Sequence, residues 1–383
     1  MAHWSRTVTE VSSGPWIRSR RWDLTFIYGS VLLVVVPLAT YYVVSFLTGH
    51  PPQSFQERPA LSLAMAVNLA CAFLIGGPHM YATYTLTVAE RRFRRDYPEL
   101  LWAAGAVPIV VVALAVMRVE LLMMLFFMWA SAHAIHQLVF LVGQYHARAG
   151  TDRQPAAWSR GLDYVLMMSA LYPVAFWRLL APTGSVLHLP FAHEIRPGFP
   201  IGAIDISREL PQLVHGAVWV AWAMFGVFGV ALALFLARTT VELARGRVVW
   251  PRTLLLVCTV PVLFAVPLFE NLDVALQGIN LWHSAQYIGL VYLMNAYRRQ
   301  RGEMSSSMVR WLSAPTHWYR YYGFLIAVSV LAGGLIGVLH YGAGVPMLQA
   351  YYGVHLSALW IHYLWDHLVF GQRGALDPVP VAA

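Results

Sequence analysis

Long apolar runs constrain this chain more than any other feature. The sequence has 383 residues, of which 58% are hydrophobic and 11% are charged, whereas a soluble domain carries about 25% charged residues. A transmembrane helix needs roughly 17–25 mostly apolar residues. Runs of that length occur at about 24–47, 60–88, 100–117, 119–146, 162–181, 212–237, 250–269, 273–297, 320–340 and 346–370. The sequence therefore predicts an all-α, polytopic membrane helix bundle of about ten transmembrane helices.

The distribution of arginine predicts how this bundle is oriented. All 26 basic residues are arginine, and the cytoplasmic loops of membrane proteins carry an excess of Lys and Arg. With the N-terminus inside, 21 of the 26 fall in inner segments. We therefore predict a cytoplasmic segment at 1–23, a single transmembrane bundle at 24–370 with an outer loop at about 182–211, and a cytoplasmic tail at 371–383. A bacterial inner membrane is the expected location.

Histidines interrupt four of the apolar runs at a similar depth. Five of them lie 11–15 residues before the first inner arginine of their run, namely His79, His133, His136, His283 and His362. At about 1.5 Å of rise per residue, they sit roughly 16–23 Å from the inner boundary, near the bilayer centre. His355, 18 residues before Arg373, lies slightly further out.

Helical periodicity places these polar residues on one side of each run. At about 100° per residue, His355, His362 and Asp366 fall within about 40°, and His133 and His136 share an arc of about 100°. Ionisable groups at membrane depth are costly, face the bundle interior and are functional by default. The four polar stripes are therefore expected to converge on one site. The alternative is a structural polar network that only specifies helix packing.

The residue types in these stripes favour a metal site. Neutral imidazole binds iron, copper and zinc, and a carboxylate in the set favours non-haem iron. We expect mononuclear or dinuclear non-haem iron, with haem b, copper or zinc as alternatives. Tyr287, one turn after His283, and Tyr81 are the candidate catalytic proton donors. The candidate metal ligands are His79, His133, His136, His283, His355, His362 and Asp366.

One stretch also resembles a known family. The segment GGPHMYATYTLT (Gly76–Thr87), with the histidine-bearing helices that follow it, is similar to the Brp/Blh-type membrane β-carotene dioxygenases. That resemblance implies a polytopic oxygenase that binds non-haem iron through intramembrane histidines. The family usually continues its Pro-His element with Gly and an acidic residue, whereas Met80 and Tyr81 follow here.

These features predict a function and leave two alternatives. Lipophilic substrates and O₂ both concentrate in hydrocarbon, so we expect an oxygenase that acts on a lipophilic substrate among membrane lipids, with electrons from a donor protein. The alternatives are a b-type haem electron-transfer protein and a transporter with a mid-membrane polar site. The sequence has no Walker loop, dinucleotide fingerprint or nucleophile elbow. The net charge of +8 follows the membrane topology, so we expect no nucleic-acid partner.

Overall fold

A computed structural model gives the three-dimensional structure of the chain. It describes residues 14–48, 63–149, 157–190, 194–201, 204–209 and 217–371. Parts of the predicted terminal segments, of the outer loop and of the second and sixth predicted spans lie outside the described residues.

The described chain is almost entirely helical. The α-helices are α1 (Arg20–Asp23), α2 (Val35–Thr48), α3 (Leu63–Cys71), α4 (Gly77–Leu86), α5 (Arg91–Asp96), α6 (Pro98–Met117), α7 (Val119–Ala147), α8 (Ala157–Ser169), α9 (Tyr172–Leu180), α10 (Val218–Ala244), α11 (Trp250–Ala265), α12 (Leu272–Gln300), α13 (Ser307–Leu312), α14 (Trp318–Gly337) and α15 (Met347–Gly371). Tighter or wider helical turns occupy Leu24–Tyr28, Gly29–Val34, Ala72–Gly76, Ile206–Glu209, Val266–Leu268 and Val338–Gly342. Strands β1 (Pro200–Ile201) and β2 (Ile204–Asp205) form one short antiparallel hairpin.

Several helices have the length and apolar composition that a membrane span requires. Six helical stretches of the described residues are long and apolar enough to cross a bilayer, at Arg20–Leu47, Pro98–Met117, Val119–Ala147, Val218–Ala244, Trp250–Leu268 and Trp318–Gly342. The all-α class is therefore confirmed, and membrane-spanning helices are plausible by length and composition. The count of ten stays a prediction. Helices α12 and α15 have 29 and 25 residues and are therefore as long as these six stretches. They are not among the six, and both carry predicted polar stripes.

The chain divides into two compact units. The described part of the first unit comprises residues 70–133 and 283–371, and the second comprises residues 14–69 and 134–282 with the gaps given above. The long helices α7 and α12 contribute residues to both units.

In the first unit, a proline shapes the helix that bears His79. Pro78 has no backbone N–H, so the carbonyl of Leu74, four residues earlier, lacks its α-helical donor. The Tyr322 hydroxyl donates to that carbonyl instead. Beside the proline, a Cβ at Gly77 would lie 2.7 Å from the Ser329 hydroxyl oxygen. The absence of a side chain at Gly77 therefore lets α4 and α14 approach closely, which fixes the segment that carries His79.

In the second unit, helices α8, α9, α10 and α11 pack on one another. The N-terminal segment of this unit is held by a buried carboxylate. Asp23 accepts hydrogen bonds from the backbone N–H groups of Ile17 and Arg18 and from the Tyr145 hydroxyl. The predicted span at 162–181 is divided between α8 and α9, since Pro173 stands in the first turn of α9.

Candidate metal centre

Four helices of the first unit bring four histidines and one aspartate together. We call this set, which comprises His79, His133, His283, His362 and Asp366, the histidine–aspartate cluster. Its members come from α4, α7, α12 and α15. All five are buried, with exposed fractions between 0% for His362 and 8% for His283. The side chains therefore meet in a region closed to bulk solvent.

The four imidazole rings form a closed cycle. Ring centroids are 5.3 Å apart for His79 and His283, and 5.0 Å for His283 and His133. The cycle closes with 4.8 Å between His133 and His362, and 4.7 Å between His362 and His79. Asp366 lies beside it, with Oδ2 3.7 Å from Nε2 of His133 and 3.6 Å from Nε2 of His362. Each histidine of the cycle thus contacts two others.

These spacings match adjacent ligands of one small ion. A metal–nitrogen bond of about 2.1 Å places the centroid of the ring about 3.2 Å from the metal, so rings about 90–110° apart have centroids about 4.5–5.2 Å apart. Two overlapping triads also bring one ligand atom per residue within 4.8 Å of each other. One triad is His79, His283 and His362, and the other is His133, His362 and Asp366.

Hydrogen bonds to Nδ1 set the tautomers of two cluster histidines. Nδ1 of His79 contacts the carbonyl oxygen of Gly76, which can only accept, so this nitrogen carries the hydrogen. Nδ1 of His362 lies 2.5 Å from Oγ1 of Thr83. The Thr83 hydroxyl itself donates to Oδ1 of Asp366, with 2.9 Å between the two oxygens. His362 therefore donates through Nδ1 as well. In both rings Nε2 keeps the lone pair that a metal needs.

Neutral hydroxyls hold the aspartate from one side. The Tyr287 hydroxyl donates to Oδ1 of Asp366 at 2.5 Å, and Thr83 donates to the same oxygen. Within the part of the chain that the structure describes, no hydrogen-bond partner reaches Oδ2 of Asp366, or Nε2 of His79 or of His362. Buried polar atoms are nearly always hydrogen-bonded in native proteins. Lone pairs that are buried, close together and without a donor fit a bound cation.

Three of the predicted site residues lie outside this cluster. His136, one turn after His133 on α7, is partly buried and belongs to neither triad. His355 also belongs to neither triad. It lines a crevice of the first unit together with Tyr81, the second tyrosine named as a candidate proton donor. Tyr287, in contrast, lies at the cluster.

Two residues of the site carried little indication in the sequence. Thr83 shares a helix face with His79 at i+4, and a threonine in a helix usually bonds to its own backbone. Here it bridges Tyr287, His362 and Asp366. Tyr363 stacks on His133 with ring centroids 4.3 Å apart. Tyr363 follows His362 directly and therefore lies on a different face of α15. Its contact with His133 becomes visible only in the packing of α7 against α15.

Searches against protein-family models, curated proteins and solved structures find no match for this chain.

Proposed function

We propose that this protein is an integral-membrane, metal-dependent oxygenase that acts on a lipophilic substrate within the bilayer. Its metal is non-haem iron bound by the histidine–aspartate cluster. In this proposal the chain crosses a bacterial inner membrane about ten times and has both termini in the cytoplasm. An electron-donor protein supplies electrons where the reaction needs them.

One observation carries the proposal: lone pairs without donors converge in a buried site. The triad of His133, His362 and Asp366 supplies two imidazoles and one carboxylate, a ligand set typical of non-haem iron. His79, His362 and Asp366 have their outer atoms held by Gly76, Thr83 and Tyr287. Such partners orient metal ligands and raise their basicity. A divalent cation would also supply the positive charge that Asp366 lacks among the described side chains.

The geometry does not favour haem b. Two axial histidines of a haem lie on opposite faces of the porphyrin, with ring centroids about 6.4 Å apart for iron–nitrogen bonds of about 2.1 Å. The four rings form a cycle with spacings of 4.7–5.3 Å. If two opposite members were axial ligands, the other two would occupy the porphyrin plane. The spacing supports a small ion instead.

The chain's own residues define what the site can do. A bound iron would supply the capacity to activate O₂. Burial of all five cluster members excludes water, which protects reactive species. The Tyr287 hydroxyl holds a proton at Oδ1 of Asp366, so a proton donor stands next to the ligand set. Thr83 couples that carboxylate to His362.

The metal is tested by elemental analysis and an optical spectrum of the detergent-purified protein. We expect about one iron per chain and no Soret band, either as purified or after anaerobic reconstitution with ferrous iron. A Soret band would establish the haem alternative. Absence of bound metal after reconstitution would refute the proposal and leave the cluster as a polar network.

The oxygenase reaction is tested separately with ¹⁸O₂. Ferrous-loaded protein is incubated with a bacterial lipid extract and a chemical reductant, and the lipids are examined by mass spectrometry. Insertion of both oxygen atoms consumes no external electrons, whereas insertion of one needs two electrons and two protons. We expect ¹⁸O in a lipid product with the wild type and none with His362→Ala. Equal incorporation by both proteins would contradict the proposed site.

A further inference from the structure

A second polar feature of the first unit is a crevice next to the segment that bears His79. Its enclosed volume is only about 20 Å³, which is room for a small polar group, and the rest of the crevice is open to its surroundings. Its walls come from the turn Ala72–Gly76 and from α4, α14 and α15. Small residues, Gly77 and Gly333 among them, form part of the lining. The crevice is therefore narrow and suits an extended chain better than a bulky ring system.

The crevice lies beside a helix face suited to hydrocarbon. Helix α14 belongs to the candidate span Trp318–Gly342, and only 11% of the most apolar part of that span is buried. Leu331 on α14 is 73% exposed, and Leu74 on the neighbouring turn is 57% exposed. Exposed leucines at such positions indicate contact with lipid. A molecule dissolved in the bilayer could therefore enter the crevice sideways.

Three polar groups in the crevice lack hydrogen-bond partners. They are the hydroxyls of Tyr81 and Tyr351 and the imidazole of His355. Among the described residues none of the three forms a hydrogen bond, and His355 stacks flat on Tyr351 with centroids 5.2 Å apart. Polar groups without partners are costly in hydrocarbon. A ligand that offers a hydrogen-bonding group would remove that cost.

The charge of the lining selects the class of ligand. The twelve lining residues include no arginine, lysine, aspartate or glutamate, so nothing there balances a carboxylate, phosphate or ammonium group. We infer that the crevice binds a neutral long-chain lipid, with a hydroxyl or carbonyl end group hydrogen-bonded by His355 and the two tyrosines and its chain along the apolar walls.

The position of the crevice makes this lipid a candidate substrate, and that assignment rests on the proposed function. His355 precedes His362 by seven residues, about 10 Å along α15. Gly77 and Met80, which flank His79 in sequence, also line the crevice. A chain whose end group lies at His355 can therefore extend toward the level of the histidine–aspartate cluster. This arrangement assigns His355 to ligand binding and not to the metal.

The test is photolabelling of the purified protein with two matched probes. Hexadecanol and hexadecanoic acid carry the same diazirine, and the labelled peptides are located by mass spectrometry. We expect the alcohol to label residues 72–81 and 329–336 at least fivefold more than the acid does. His355→Ala with Tyr351→Phe should lower that labelling at least fivefold. Ala332→Phe, which fills the crevice from α14, should do the same.

Metal content, measured on the same samples, separates this inference from the proposed function. The His355 variant should keep the metal of the wild type, and loss of its metal would make His355 a ligand and overturn the inference. Equal labelling by the acid, or labelling unaffected by the variants, would overturn it too. A protein that binds the alcohol without any metal would refute only the oxygenase. His317→Ala, a matched control near the helix surface, should leave both readouts unchanged.

Discussion

Two buried aspartates, one in each unit, show how differently the same residue can be accommodated. Asp163 and Asp366 are both 0% exposed. In the second unit, Arg238 reaches Oδ1 of Asp163 at 2.6 Å, and Arg252 lies 3.7 Å from Oδ2. In the first unit, Asp366 receives hydrogen bonds only from neutral hydroxyls, and no arginine of the described chain forms an ion pair with it. Asp163 thus has two arginine partners, whereas Asp366 has none among the described residues.

The surroundings extend this contrast. Asp163, Arg238, Glu242 and Arg252 form an ion-pair cluster with two positive and two negative charges, since Arg252 also binds Glu242 at 2.5 Å. His146 adds an imidazole 2.9 Å from Asp163. The ion-pair cluster is balanced and joins α8, α10 and α11, and His146 connects it to α7. The histidine–aspartate cluster contains no arginine, so a bound cation would supply the positive charge that Arg238 and Arg252 supply to Asp163.

The largest effect should come from removing the first of these aspartates. Asp163→Ala leaves Glu242 as the single carboxylate beside the two buried arginines Arg238 and Arg252. One buried positive charge then has no counter-charge, and breaking a buried pair in this way costs about 3–5 kcal/mol. Thermal unfolding of metal-free protein in detergent measures the loss. Asp366→Ala is the matched variant, and without metal it should be far less destabilising because it removes a carboxylate that has no cation. Equal destabilisation by the two variants would contradict the contrast.

Sequence periodicity anticipated much of this site. Five of the seven predicted ligands lie in one cluster, because depth and helix face are both fixed by counting residues along a regular helix. Counting placed His355 slightly further out than His362 but kept both as candidate ligands. The two share a face of α15, but seven residues place them about 10 Å apart, and the sequence does not say how close the other helices come at each level. The ion-pair cluster was not predicted, since Asp163, Arg238 and Arg252 meet only through tertiary packing.

The next largest effect concerns the metal itself. His362 belongs to both triads, so His362→Ala removes a ligand from either arrangement. Bound iron should fall from about one per chain to the background of the assay, while the unfolding temperature of the metal-free protein changes little. His317→Ala, whose imidazole contacts Thr316 near the surface, should keep its iron. Full metal content in the His362 variant would show that the cluster is a polar network.

The smallest effect should come from the hydroxyl that holds Asp366. Tyr287→Phe keeps the ring, which packs 5.0 Å from His362, and removes only the donor to Oδ1. Loss of such a supporting hydrogen bond typically lowers metal affinity roughly 10–100-fold, and competition with a chromogenic chelator measures it. Tyr321→Phe is the matched control, because Tyr321 is equally buried and its hydroxyl lies 3.1 Å from Thr85, away from the cluster. If both variants weakened the metal equally, the effect would reflect general loosening of the helices. If only Tyr287→Phe did so, the hydroxyl would be shown to orient the carboxylate of the histidine–aspartate cluster.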